Sequence, residues 1–108
     1  MNRGEVRWYR FAHPDKRRPV VVLTRDSAMD FLGEVTIAPI TSTVRGTPSE
    51  VHLGPEDDLS RECAVNLDHL QTVARGRLGG VIATLGPGRL SEVREALLFA
   101  LGFETPHA

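Results

Sequence analysis

The first 25 residues hold a majority of the side chains that could bind a phosphate group. Seven basic side chains lie there against two acidic ones, Glu5 and Asp15; the cations are Arg3, Arg7, Arg10, Lys16, Arg17, Arg18 and Arg25. Twelve of the thirteen cations in the chain are arginine, whose planar guanidinium can hold two phosphate oxygens at once. This uneven distribution can give one basic face suited to a polyanion, or only a solvated arm whose charges pair with acids elsewhere.

Histidine side chains offer general acid–base chemistry near neutral pH. His13 lies in the basic segment and His69 follows Asp68. These two imidazoles could converge on one phosphate, or serve separately as a loop residue and a recognition residue, whereas His52 is interpreted as structural. The single cysteine, Cys63, lies in an apolar run and is expected in the core. One thiol builds no disulfide framework and no zinc site by itself, so neither a metal nor another cofactor is expected.

The length and composition are typical of one globular domain covering residues 1–108. Apolar residues make up 41% and charged residues 25% of the chain, which has a formal net charge of −1. No apolar run approaches the roughly 20 residues that cross a bilayer, and arginines interrupt the N-terminal segment where a signal peptide would be apolar. A cytoplasmic location is therefore expected.

Short apolar runs separated by polar turns predict a mainly β fold. We expect strands at residues 4–11, 19–24, 35–40, 50–53, 63–67, 70–74 and 81–85. Residues 25–32 favour one or two helical turns, and residues 12–18 favour an exposed loop. In the first strand Trp8 is in phase with Val6, so we expect Trp8 rather than Tyr9 in the core.

One amphipathic helix is expected at the end of the chain. Gly86 can precede it, Pro87 fits its first turn and Gly102 ends it. Its apolar stripe, at three- and four-residue spacing, consists of Leu90, Val93, Leu97, Ala100 and Leu101. Many short strands with one late helix predict a small β-barrel with a helix packed against it.

Four strings in order resemble the MazF/PemK family of toxin endoribonucleases. They are RGEV at residues 3–6, RPVVVL at 18–23, IAPITS at 37–42 and CAVNLDHLQTV at 63–73. The similarity extends from about residue 3 to residue 102, and the C-terminal helix also falls where the family has one. The resemblance implies an SH3-like β-barrel of the MazF/PemK/CcdB toxin type that works as a homodimer.

The same resemblance implies an activity and partners. Family members are metal-independent mRNA interferases that cleave single-stranded RNA at a short sequence, within type II toxin–antitoxin systems. A cognate MazE-like antitoxin blocks the RNA groove with a segment that folds on binding. The family's catalytic arginine and hydroxyl fall on Arg18 and Thr41, although Arg17 leaves the choice of arginine open by one position. Ser42 is the next hydroxyl candidate.

These residues suit RNA cleavage, because RNA supplies its own nucleophile in the 2′-OH. Arg18 can stabilise charge on the transition state, and Thr41 can donate a hydrogen bond to a phosphate oxygen. For RNA binding, the resemblance favours Asp68 and His69 as base-recognition residues. The other expected RNA-binding residues are Phe11, a base-stacking candidate, and His13, Arg17 and Ser42.

Two alternatives remain at the level of sequence. A CcdB-like toxin would poison DNA gyrase through its terminal helix without any catalysis, but residues 101–106 do not resemble the Trp-Gly-Ile ending of that group. An RNA-binding module without turnover is the second alternative. The segment between Phe11 and Arg18 is short and lacks the family's Gly-rich stretch, so the cleavage sequence is left open.

Overall fold

The computed structural model describes residues 1–11 and 17–103. Within them the chain forms a mainly β structure with one C-terminal α-helix, as expected. The elements are β1 (Glu5–Arg10), β2 (Arg17–Val22), β3 (Glu34–Thr41), β4 (Glu50–Leu53), β5 (Cys63–Asn66), β6 (Gln71–Ala74), β7 (Leu78–Thr84) and α1 (Pro87–Leu101). Residues 25–32, expected to form one or two helical turns, contain one 3₁₀ turn at Asp26–Ala28. None of the helices in the described ranges is long and apolar enough to cross a membrane.

The strands form one antiparallel sheet in the order β4-β5-β3-β2-β1-β7. Strand β3 has two partners along one edge: β6 pairs with its first half, and β5 pairs with its last two residues. Among the described residues β4 and β7 end the sheet and do not pair with each other. The expected barrel is therefore an open sheet, while the expected mainly β fold with a terminal helix is confirmed.

Strand β2 shows that the sheet is buried on both faces. Successive side chains of a strand point to opposite faces, and in β2 both Val20 and Val21 are fully buried. Val21 belongs to the apolar cluster that includes Val93 of α1. Val20 belongs to a second cluster, which includes Met29 of the segment after β2. A continuous β-branched run fits this position, since neither face of the strand meets water.

The ends of helix α1 lie where the sequence predicts them. Gly86 precedes the helix and Pro87 begins it, where a missing backbone N–H costs nothing. Gly102 follows the helix with a φ of 77°, a left-handed conformation that glycine adopts without steric strain. In this conformation its N–H donates a hydrogen bond to the Phe99 carbonyl at 3.1 Å.

The buried stripe of α1 differs from the expected one at its end. Val93 and Ala96 are buried, and Leu90 and Leu97 pack partly against the core. Leu101 is 53% exposed, so its expected place in the stripe is wrong. The apolar spacing therefore continues beyond the part of the helix that packs against the core.

The core aromatic of β1 is Tyr9, and the expected burial of Trp8 in the core is wrong. Tyr9 is 8% exposed and packs with Val20 in the second cluster, whereas Trp8 is only half-buried. Being in phase with Val6 does not decide the question, because both faces of this sheet carry a core.

Candidate active site

One end of the sheet gathers residues that are far apart in sequence. Since neighbouring strands are antiparallel, the end of β1 lies beside the start of β2 and the start of β7, and the end of β3 lies beside the start of β2. Arg10 pairs with Arg17, and Tyr9 pairs with both Arg18 and Leu78. This end of the sheet therefore carries the arginines of the β1–β2 hairpin.

Arg18 near the start of β2 and Thr41 at the end of β3 lie toward the same end of the sheet. The β2–β3 ladder runs from the pair of Val22 and Ile37 to the pair of Val20 and Pro39, two residues short of Arg18 and Thr41. Residues directly opposite each other in an antiparallel pair project to the same face. The same register, continued by two residues, would bring Arg18 opposite Thr41, which is the arrangement that the predicted chemistry requires.

Arg17 occupies a different environment from Arg18. It pairs with Arg10 in the β1–β2 ladder and points to the other face of β2, since successive side chains alternate. Its guanidinium carbon lies 4.5 Å from the centre of the Trp8 ring, in a cation–π contact. The two arginines that the sequence left open therefore point to opposite faces of the sheet.

The hydroxyl of Thr41 is held by the turn that follows β3. Its Oγ1 accepts a hydrogen bond from the Thr43 amide at 3.0 Å. A hydroxyl that accepts one bond still has its hydrogen to donate, so the turn fixes the oxygen and leaves the donor available for a ligand. Ser42 is exposed at the next position.

The loop after Thr41 is tied to the strand that follows it. Glu50 Oε1 accepts hydrogen bonds from the amides of Arg45 and Gly46 at 3.0 and 2.9 Å. These charge-assisted bonds compensate for the loop's few apolar contacts. The loop carrying Ser42 therefore has a defined course next to Thr41.

Asp68 and His69 lie in a 3₁₀ turn between β5 and β6, alongside the middle of β3. Oδ2 of Asp68 accepts a hydrogen bond from the buried Ser49 hydroxyl at 2.5 Å. Asp68 thus holds the end of the loop that begins at Thr41, in addition to the base recognition predicted for it. His69 is exposed, and its Nδ1 lies 3.4 Å from the Asn66 side-chain nitrogen.

Of the remaining predicted RNA-binding residues, Phe11 follows β1 and Arg17 begins β2. Phe11 is half-buried, and its ring meets Tyr9 edge-on with the centroids 4.9 Å apart, so part of its surface is used in packing. His13 lies outside the described residues.

Three residues at this end escaped the sequence analysis. The guanidinium carbon of Arg77 lies 5.6 Å from the centre of the Tyr9 ring, and Gly79 and Gly80 line a cleft with it. In the sequence, Gly79 and Gly80 indicate only that a new segment begins before the apolar run at residues 81–85. The pairing of Tyr9 with Leu78 was not, because nothing local specifies a contact between residues so far apart in sequence.

Negative charge collects elsewhere, around the start of α1. Arg89 binds both carboxylate oxygens of Asp57, at 2.9 and 3.1 Å, and also contacts Glu92 at 3.1 Å. The hydrogen bonds from Arg89 lower the pKa of Asp57. Charge is therefore distributed unevenly in space as well as along the sequence, with arginines at the β1–β2 end of the sheet and acidic side chains near α1.

Cys63 is in the core, as predicted. It is 5% exposed, and its thiol donates to the Leu53 carbonyl at 3.8 Å. Burial raises the pKa of the thiol, which disfavours the reactive thiolate. Within the described ranges, no three histidine, cysteine or acidic side chains come together in a way that could hold a metal ion.

Comparison with known proteins gives one consistent result. Residues 2–101 match a family model described as "PemK-like, MazF-like toxin of type II toxin-antitoxin system". The chain is 39% identical over 103 residues to "Probable endoribonuclease MazF2" of Mycobacterium tuberculosis, covering 94% of this chain and 99% of the relative.

Solved structures agree with the sequence comparison. The fold matches "Mycobacterium tuberculosis toxin MazF-mt6" with a TM-score of 0.85 at 33% identity, over 94% of this chain and 99% of that one. It also matches "Endoribonuclease in complex with its cognate antitoxin from Mycobacterial species" with a TM-score of 0.86 at 25% identity, over 98% and 99% of the two chains. The chain belongs to the PemK-like, MazF-like toxin family of type II toxin–antitoxin systems.

Proposed function

We propose that this chain is a MazF-like endoribonuclease that cleaves single-stranded RNA at a short sequence, without a metal ion, as the toxin of a toxin–antitoxin system. The observation that supports the proposal is the β2–β3 register, which, continued two residues beyond the pair of Val20 and Pro39, would set Arg18 opposite Thr41. An arginine and a hydroxyl in this arrangement can bind the oxygens of one phosphodiester. Its place of action is the cytoplasm, where messenger RNA is available.

In the proposed reaction the RNA 2′-oxygen attacks the adjacent phosphorus atom. The bond from phosphorus to the 5′-oxygen breaks, which leaves a 2′,3′-cyclic phosphate on one fragment and a 5′-hydroxyl on the other. Arg18 holds two phosphate oxygens and stabilises the added negative charge, and Thr41 donates its hydroxyl hydrogen to a non-bridging oxygen.

Proton transfer needs a group other than Arg18. The guanidinium keeps its charge, because an arginine side chain does not give up its proton in a protein. The 2′ proton must leave to a base, and the departing 5′-oxygen must take up a proton. We assign these transfers to imidazole groups or water, with His13 and His69 as the residues of suitable chemistry.

The proposed partners are a MazE-like antitoxin and a second copy of the chain. A solved relative has been crystallised with its cognate antitoxin, which supports the first. The second is supported by β7, an end strand without a charged residue, on which Val81 is 51% exposed. A long uncharged edge strand invites pairing with another strand, and in a dimer it would be covered.

The test of the proposed function is RNA cleavage by the purified protein in the presence of a chelator. We expect fragments that end in a cyclic phosphate, and we expect Arg18→Ala to lower kcat by at least about 100-fold. The matched control is Arg94→Ala, since Arg94 is 72% exposed on α1 and contacts only its neighbour Glu95 in the interactions described.

Three results would contradict the proposal. Loss of cleavage on addition of the chelator would remove the metal-independent mechanism. RNA binding without cleavage would favour a binding module, and gyrase binding without cleavage would favour a CcdB-like poison. Circular dichroism of both variants shows whether a loss of activity reflects a loss of fold.

A further inference from the structure

The turn that carries Asp68 and His69 is tied to the loop before β4 by a chain of hydrogen bonds. Ser49 is buried, and its hydroxyl oxygen lies 2.5 Å from Asp68 Oδ2 and 3.0 Å from Thr47 Oγ1. An ionised carboxylate can only accept, so the single hydroxyl hydrogen of Ser49 goes to Asp68, and Thr47 donates to Ser49. The Ser49 carbonyl also accepts from the Leu67 amide at 3.0 Å. Loop and turn are therefore held together at two points.

Asn66, the last residue of β5, makes a second set of contacts with the same turn. Its Oδ1 accepts a hydrogen bond from the Asp68 amide at 2.9 Å, which identifies the oxygen of the side-chain amide. The Nδ2 group is therefore the one that faces His69 Nδ1, 3.4 Å away, and it faces it as a donor. In a neutral imidazole one ring nitrogen accepts and the other carries the hydrogen. We assign the hydrogen of His69 to Nε2 for this reason.

The contact with Asn66 limits the chemistry of His69. The lone pair on Nδ1 is directed at Asn66 and is not available to take a proton from RNA. An imidazolium would set an N–H against the N–H of Asn66, because both of its ring nitrogens donate. Turning the Asn66 amide around would relieve this clash only by losing the bond from the Asp68 amide. His69 is thus held as a neutral donor at Nε2, which leaves the proton transfers of the proposed reaction to His13 or water.

The strand register places Asn66 on the face of the sheet that carries Thr41. Ala64 pairs with Thr41 in the β3–β5 ladder, and directly opposed residues project to the same face. Asn66 lies two residues further along β5, so its side chain points to that face about 7 Å from Ala64. An RNA strand bound at Thr41 can therefore extend to the turn that Asn66 holds.

Each side chain of this turn keeps one polar group for a ligand. Asp68 and His69 are exposed, and within the described ranges no hydrogen bond is found for Asp68 Oδ1 or for His69 Nε2. The first of these groups is an acceptor and the second is a donor. Unpaired bases in RNA are recognised through hydrogen bonds to their Watson–Crick edges, where a donor and an acceptor lie side by side.

We propose that Ser49 and Asn66 are positioning residues that fix Asp68 as an acceptor and His69 as a donor toward one base of the bound RNA. This inference rests on the proposed function and goes beyond it, because Ser49 and Asn66 act through their neighbours rather than on RNA. Losing the fixed orientation lets the pair bind other bases about equally well. The effect therefore falls on sequence preference and KM, and not on the chemical step at Thr41.

The first experiment reads the tautomer of His69 directly, in the absence of RNA. Nitrogen NMR distinguishes a ring nitrogen that carries hydrogen from one that does not, and His69→Gln assigns the signals. We expect the hydrogen on Nε2 in the wild type. Asn66→Asp keeps an acceptor for the Asp68 amide and replaces the facing N–H by oxygen, so it should move the hydrogen to Nδ1. A wild-type ring with its hydrogen on Nδ1 would overturn the inference.

The second experiment compares RNA cleavage by His69→Gln and His69→Ala. A glutamine amide can place an N–H near the position of imidazole Nε2, but it cannot transfer a proton in its place. We expect His69→Ala to raise KM about ten-fold, and His69→Gln to recover most of this affinity. The matched control is His52→Gln, since His52 is exposed on β4 and contacts Glu62 at 3.1 Å. Equal losses of kcat in both His69 variants would return His69 to proton transfer and contradict the inference.

The third experiment tests whether Ser49 acts through Asp68. The substrates are RNA oligonucleotides that carry the mapped cleavage sequence with one base replaced at a time. We expect Ser49→Ala to reduce the preference for the best base at one position about ten-fold, measured as a ratio of kcat/KM. In an Asp68→Ala background the same substitution should have no further effect. Ser49→Cys keeps the side-chain size with a weaker donor, and it should change the preference in the same direction if Ser49→Ala does not fold.

The outcomes separate this inference from the proposed function. If the wild type cleaves no RNA, the proposed function fails, while the NMR measurement still decides the state of His69. If the wild type cleaves RNA and Ser49→Ala lowers kcat/KM equally for all substrates, Ser49 only stabilises the loop and its positioning role is overturned. An effect of Ser49→Ala that persists undiminished in the Asp68→Ala background overturns that role as well.

Discussion

The single hydroxyl group of Thr41 has two hydrogen-bonding roles, one as an acceptor and one as a donor. Its oxygen accepts from the Thr43 amide, and under the proposed mechanism its hydrogen points to a phosphate oxygen. The backbone contact alone would make Thr41 a turn residue, since threonine hydroxyls commonly bond nearby amides. The family resemblance at residues 37–42, together with Arg18 lying toward the same end of the sheet, is what favours a catalytic role.

We expect Thr41→Val to lower kcat by about 100-fold to 1000-fold, the usual effect of removing one oriented donor from a transition state. Valine keeps the β-branched shape and removes only the hydroxyl. Thr41→Ser restores the donor and should retain most of the activity. The measurement is single-turnover RNA cleavage with saturating enzyme.

Equal losses in Thr41→Val and Thr41→Ser would contradict a donor role for the hydroxyl. The thermal unfolding midpoint of each variant provides the control, because the Thr43 contact is lost in Thr41→Val and retained in Thr41→Ser. A kcat effect without a matching shift in the midpoint separates chemistry from turn stability.

At the scale of elements, the start of α1 is attached to the turn before β5 by the pair of Arg89 and Asp57. The Asp57 side chain is 9% exposed and that of Arg89 is 28% exposed. Asp57 also accepts from the Gly54 amide at 3.1 Å. A two-bond ion pair with this little solvent access contributes more than a pair on the open surface.

We expect Arg89→Ala to lower the free energy of unfolding by about 2 kcal/mol near neutral pH. The pKa of Asp57 is lowered from its ordinary value of 3.8. The stabilisation from Asp57 is therefore complete above that value and is lost as the pH falls through the lower value in the folded chain. Urea titrations at several pH values measure the difference between the variant and the wild type.

The matched control for this pair is Arg94→Ala. Arg94 and Glu95 are 72% and 68% exposed, so their contact should contribute close to nothing. If Arg89→Ala were as stable as Arg94→Ala at pH 7, or if its deficit stayed constant into acid, the proposed attachment would be wrong.

The sequence predicted most elements because each has a strong local signal. The β-branched run at 20–22 and the alternation at 50–53 predicted strands, and Gly86 and Gly102 bounded the helix. Trp8 and Tyr9 were assigned the wrong way round, because alternation shows that they face opposite sides and does not show which side is more deeply buried.

The candidate site was predicted only in part, for a related reason. Arg18 and Thr41 stood out through the family strings, while their common face depends on the strand register. Arg77 and Gly80 carry no local signal at all. Their relation to Tyr9 and Trp8 exists only once β1 pairs with β7, which is a long-range contact.

At the scale of the whole molecule, the open sheet leaves β7 as an unpaired edge. Its residues carry no charge, and its pairing with β1 is irregular at two places, at Ile82 and at Gly79-Gly80. Soluble proteins protect such edges with charges or cover them. We infer that a second copy covers this one.

We expect Val81→Lys to weaken dimer formation by at least about ten-fold, because a charge on an edge strand opposes pairing. The matched control is Val44→Lys, since Val44 is 43% exposed, against 51% for Val81, and lies in a loop. Sedimentation equilibrium at micromolar concentration compares the two variants with the wild type. Dimers of equal strength in all three proteins would place the interface elsewhere.

The position of Cys63 has a practical consequence for following this protein over time. The chain contains one sulfhydryl group, and it is shielded in the native state. An alkylating reagent such as iodoacetamide can therefore mark the chain only when the strands around β5 come apart. Each opening event adds one permanent mass tag, so mass spectrometry of the intact chain would time how often the core opens.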